Sequence, residues 1–87
     1  MTTRPTTSEL SEAKLVSKDD VAAAVDAFMA NPSTTTFPLG KDYALDLRDA
    51  VAASPFALGV VMNPHARPAS KRNAIRTAIL LERPVKA

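Results

Sequence analysis

Residues 17–32 read SKDDVAAAVDAFMANP, and the fold is decided there. Ser17 offers a side-chain oxygen to the free backbone N–H groups of a helix start. Asp19 and Asp20 fall in the first turn, where the helix dipole favours anions. Val21, Val25, Phe28 and Met29 then recur at i, i+4, i+7 and i+8, one face of a helix. Asn31-Pro32 is a stop, since asparagine tolerates the left-handed conformation and proline cannot continue the helix. The spacing predicts a helix over 18–30 whose apolar face, with Val25 and Phe28, faces a core.

Outward from this helix, the same capping logic repeats. Ser54-Pro55 reads as an N-cap and a proline at the first helical position, opening a short helix over 56–62 that a second Asn-Pro closes at Asn63-Pro64. The rival for Leu58-Gly59-Val60-Val61-Met62 is a buried strand, because the run is short, continuous and β-branched. Residues 33–40 read as a connector in which Phe37 and Leu39 turn inward. A helix is expected over Lys41 to Ala53, with Ala44, Leu47 and Val51 on one face and Tyr43 beside them. Ser70 caps a last helix from Lys71 to about Glu82, ahead of Pro84. A further short helix can start at Ser8 and run past Leu10, Glu12 and Leu15. The first eight residues, Thr-rich with a proline, hold too little apolar surface to fold alone. The expectation is therefore a mainly α, compact domain of three to four helices over 9–87, with an extended Thr-rich arm over 1–8 that is flexible or held by a partner.

The chain has 87 residues, 46% of them hydrophobic, with no Trp and only three Phe and one Tyr. A domain this small buries a modest core and commonly needs a staple or a partner. Cysteine is absent, which excludes disulfides, and a single histidine does not make a zinc site. A partner is what remains. No stretch approaches the roughly 18 apolar residues of a membrane span, and the polar N-terminus lacks the apolar centre of a signal peptide. The expected location is cytoplasmic, or within an intracellularly assembled particle.

No constellation for catalysis emerges. His65 sits between Pro64 and Pro68 with no nucleophile motif to serve. The Asp19-Asp20 pair is explained by its place in a helix first turn. Gly40 and Gly59 are the only glycines and lie nineteen residues apart, so no phosphate-cradling loop can be built. The expectation is no catalytic residues, no cofactor, no metal and no small-molecule substrate.

Charge carries more information. Residues 1–62 hold five basic against eight acidic residues, net −3, and residues 63–87 hold six basic residues against Glu82 alone, net +5. On the last helix Arg72, Arg76 and Arg83 fall within about 40° of one another at 100° per residue, with Ile75, Ile79 and Leu80 beside them. Helices apolar on most sides need burial on most sides. Arg67, Lys71, Arg72, Ile75, Arg76, Ile79, Leu80 and Arg83 are thus the expected partner-binding set. The function expected is a non-enzymatic protein-binding module, an accessory subunit docking onto a larger assembly or onto copies of itself, such as a viral structural component or an inhibitor of a host complex. The alternative is a nucleic-acid-binding regulator, in which a basic helix in a helix-turn-helix-like arrangement uses Arg67, Lys71, Arg72 and Arg76 on phosphates and base edges.

Overall fold

The Ser17 hydroxyl accepts the Asp20 N–H at 3.1 Å while the Asp20 carboxylate accepts the Ser17 N–H at 2.9 Å. This reciprocal capping box fixes the start of the helix that the sequence marks most clearly, Lys18–Ala30. The computed structural model describes residues 5–31, 33–40 and 42–86. In chain order the elements are α1 (Thr7–Glu12), α2 (Lys18–Ala30), β1 (Thr36–Leu39), β2 (Tyr43–Asp46), α3 (Leu47–Ala52), α4 (Pro55–Met62), α5 (Pro68–Leu81) and β3 (Val85–Lys86). Helices dominate, and the strands form one small antiparallel sheet in the order β1-β2-β3.

α5 organises the rest. Its Ala74, Ile75, Ala78 and Ile79 are buried, and α1, α2, α3 and α4 all pack against it. From α2 come Val21, Ala24, Val25 and Phe28, and from α3 come Leu47, Ala50 and Val51, all in the same core. The expected burial of Val25, Phe28 and Leu47 is therefore observed. The helix count differs from expectation: among the described residues five helices and a sheet stand in place of three to four helices.

The largest departure is at residues 41–53. A helix forms only from Leu47, and Tyr43–Asp46 pairs as a strand with Thr36–Leu39. Gly40 explains the change. It holds φ +66, and a Cβ there would stand 2.6 Å from the Leu15 carbonyl oxygen, so the chain reverses at a point only glycine fits. Phe37 then pairs with Leu45 and Leu39 with Tyr43, which puts these four side chains on the sheet's inner face. Asp46 ends the strand and caps α3, accepting the Asp49 N–H at 3.0 Å. Leu47 and Val51 keep their expected place in the core; Ala44 belongs to the strand instead.

The chain ends are tied together. Thr6 caps α1, and the buried Thr7 donates both its N–H (2.9 Å) and its hydroxyl (3.2 Å) to the Glu82 carbonyl. Residues 6–8, expected within the arm, are thus the cap and first turn of a helix. Residues 1–4 lie outside the described residues. Beyond Glu82, Val85 and Lys86 pair with Ala44 and Tyr43 of β2.

Both Asn-Pro signals end helices, with a shared detail. Asn31 and Asn63 are extended, not left-handed, and each turns its side-chain oxygen back to accept the N–H two residues on, from Ser33 at 3.0 Å and His65 at 2.9 Å. Residues 55–62 are helix, not strand, started by the Ser54 hydroxyl on the Ala57 N–H. α5 starts at Pro68, three residues before the expected Lys71. Arg67 occupies the cap position without a side-chain cap, and the fixed φ of Pro68 sets the first turn in place of Ser70.

Two substitutions test this core. Phe28→Ala should cost about 3–5 kcal/mol, a large part of what a domain of this size has. Ile79→Asp, which puts a carboxylate at a position with no solvent exposure, should prevent folding outright. Thermal melts followed by circular dichroism check both. A cooperative melt of either variant that overlays wild type would show that α5 and α2 do not share this core.

Candidate protein-docking surface

α4 reads PFALGVVM and contains no polar or charged side chain. A helix of this kind is expected to be enclosed. Here one side only is enclosed: Ala57 is buried, Val60 and Val61 are half-buried, and the remaining positions face outward. Phe56 is 65% exposed, Met62 73% and Leu58 38%. At 100° per residue Leu58, Met62, Pro55 and Gly59 form a continuous outer arc, with Phe56 at its edge. Leu81 of α5, 66% exposed, shares a shallow depression of about 290 Å³ with Pro55 at the start of α4. The apolar surface therefore passes from α4 onto α5.

Gly59 lies at the middle of this surface. Its backbone is helical, and a Cβ would meet nothing within 4 Å. Glycine inside a helix costs about 0.8–1.0 kcal/mol relative to alanine. Nothing in the described fold requires that cost, neither a positive φ nor a close neighbour.

The eight residues that the sequence nominates for partner binding do not form one surface. Ile75 and Ile79 have no solvent exposure and belong to the core. They are withdrawn as partner contacts, because reaching them means opening the domain. Leu80 is half-buried against that core. Arg72 forms an ion pair with Asp26 of α2 at 2.5 Å. Arg76 is exposed and lies beside Lys18 in a depression between α2 and α5. Arg83 follows the end of α5, so helical spacing does not align it with Arg72 and Arg76; it is half-buried, with its guanidinium 4.0 Å from Glu9. Arg67 and Lys71 are at the other end of α5, and Lys71 shares a depression with Val61 at the C-terminal part of α4. Arg67, Lys71, Arg72 and Arg76 run from the cap of α5 past its middle, and Arg83 lies beyond its C-terminal end.

His65 is exposed in the turn after α4. Among the described residues no three Asp, Glu or His side chains gather as a metal ion would require, and no helix is long and apolar enough to cross a membrane. No sequence family, curated protein or solved structure gives a match to this chain.

Sequence reasoning passed over Phe56, Leu58, Met62 and Leu81. The signal was present, though: an eight-residue helix without a polar side chain, joined to α3 by two residues, cannot be covered all round in so short a chain.

One titration reports on the N-terminal tie. The Glu9 carboxyl is held below its ordinary value, first by the Thr6 N–H and then by the Thr6 hydroxyl, with a smaller contribution from the Arg83 guanidinium. A depressed folded-state pKa means that Glu9 stabilises α1 above its unfolded value and ceases to as pH falls through the folded one. Thr6→Ala keeps the N–H and removes the hydroxyl, so in a carbon-detected NMR titration it should raise the Glu9 pKa only part of the way to its ordinary value, and the acid-side loss of stability should flatten slightly. An unchanged Glu9 titration would show that the Thr6 hydroxyl does not help to hold the Glu9 carboxyl down in solution.

Proposed function

We propose that this chain is a non-enzymatic protein-binding module, an accessory subunit that docks through the outer face of α4. The observation that carries the reading is the exposure of Phe56 and Met62 on a helix with no polar side chain. Exposed apolar side chains scattered singly are ordinary on a protein surface, but a continuous patch marks an interaction site. The partner is a larger assembly or another copy of the chain. No cofactor or small-molecule substrate enters this reading, and the setting proposed is the cytoplasm or a particle assembled within a cell.

Magnitudes bound the affinity. Full burial of Phe56, Leu58, Met62 and Leu81 gives about 1.5–3 kcal/mol each. That gross gain is of the same order as the roughly 4–15 kcal/mol that association costs in lost freedom. Net of that cost these four side chains support only weak binding by themselves, and micromolar binding requires apolar surface buried on the partner as well.

The nucleic-acid alternative rests on Arg67, Lys71, Arg72 and Arg76. The Arg72–Asp26 pair weakens it by placing an acidic group within the basic stripe.

The test is native mass measurement of the chain purified from its source cells, with and without nuclease, beside the double variant Phe56→Ser with Met62→Ser. Both side chains are mostly exposed, so the variant should melt within about 0.5 kcal/mol of wild type. Wild type should carry protein mass that resists nuclease, and the variant should lose it. Mass that leaves with nuclease, with a log–log salt slope near −3 to −4 for about four phosphate contacts, would replace this reading with the nucleic-acid one.

A further inference from the structure

We infer that the occupant of the α4 surface is α4 of a second copy of this chain, packed antiparallel across a two-fold axis near Gly59. This rests on the reading of α4 as a docking face and goes beyond it by naming the partner and its orientation.

Two observations select this occupant. The first is self-complementarity, which a two-fold interface requires of a single patch. α4 spans Pro55–Met62, so its midpoint falls between Leu58 and Gly59. In an antiparallel pair centred there, Leu58 of one copy meets Gly59 of the other, and Met62 meets Pro55. The largest gap on the face then receives a branched side chain from the same face. Gly59, which the chain's own fold does not require, becomes the point where the two helix backbones approach.

The second observation is charge. The α4 face carries none, but its two ends are opposite. At the N-terminal end, Glu82 borders the depression that holds Pro55 and Leu81 and also an adjoining one lined by Asp46, Asp49 and Arg83. That end is acidic on balance. At the C-terminal end stand Lys71, beside Val61, and Arg67, and the sequence has no acidic residue between Asp49 and Glu82. Antiparallel pairing sets each acidic end against the basic end of the other copy. Parallel pairing would set like against like. Charge placed around an apolar centre in this way fixes orientation more than it adds affinity.

The experiment uses the full chain, and two variants at position 59 keep it independent of folding. A Cβ added at the exposed Gly59 meets no atom within 4 Å, so the melting temperature of Gly59→Leu at low concentration should equal or exceed that of wild type. Sedimentation equilibrium should show wild type as a dimer at micromolar concentration, with Gly59→Leu weakened on the order of tenfold or more. The chain has no cysteine of its own, so Gly59→Cys gives a single reactive position beside the proposed axis. Under mild oxidation it should cross-link to itself. Met62→Cys should not, because seven residues of axial offset separate its two copies by about 10 Å along the helix, beyond the roughly 7 Å that a disulfide spans between Cα atoms.

A wild type that remains monomeric overturns the inference, as does a Gly59→Leu dimer of undiminished affinity. Self-cross-linking of Met62→Cys as fast as Gly59→Cys overturns the antiparallel arrangement. The nuclease-resistant mass measurement tells the two readings apart. If a different protein co-purifies and is lost from the Phe56→Ser, Met62→Ser variant, only the second-copy inference fails. If that variant keeps the same partner, the docking face fails with it.

Discussion

Everything in this small domain hangs on one buried face of α5. Ala74, Ile75, Ala78 and Ile79 form it, and every other helix of the described structure packs against that helix. The dependence follows from length. α1 and α3 have six residues each and α4 has eight, below the 12–15 at which an isolated helix becomes even marginal in water. Such pieces persist because a longer neighbour gives them an apolar surface to lie on. The alternation of alanine and isoleucine suits this role, with isoleucines to fill space and alanines that leave room beside them. It also accounts for the C-terminal tie, since Thr7 is fastened to Glu82, the residue just after α5. The N-terminal helix is thus held at the end of the element it packs on.

Where the sequence was legible, the reason was local chemistry. Ser17 with Asp20, Ser54 with Pro55, and the two Asn-Pro stops each state a boundary within four residues of chain. Where it misled, two periodicities competed. Ala44, Leu47 and Val51 fall at i, i+3 and i+7, a helical stripe, but Leu39, Tyr43 and Leu45 alternate as strands do and Gly40 lets the chain reverse between them. The turn won because its strained position suits glycine alone, whereas the helical stripe survives in shortened form as α3. Nothing local announces that Asp46 both ends a strand and caps a helix.

The error at α5 was of a different kind. Its apolar residues flank a basic stripe, and length alone suggests too little chain to cover them. Short helices supply the covering material. Three of them, α1, α3 and α4, pack on α5 together with the longer α2, and Ile75 and Ile79 have no solvent exposure. Burial of Ile75 and Ile79 within the domain removes the reason to seek an outside cover for α5. Covering α5 uses the inner side of α4 and leaves its outer side, equally apolar, facing water.

That transfer also changes what the charges do. The Arg72–Asp26 and Arg83–Glu9 contacts turn part of the C-terminal positive charge inward on the molecule's own acids. Exposed pairs of this sort contribute little to stability. Their effect is to thin the basic stripe that a nucleic acid would need, while Arg67 and Lys71 remain near the uncharged α4. Had stability alone shaped that helix, polar side chains at positions 58, 59 and 62 would have been tolerated by the fold and better suited to water. An uncharged outer face, a glycine that the monomer does not use, and opposite charge at the two ends are together costly for a solitary chain. The proposed second copy would cover that face and make use of that glycine.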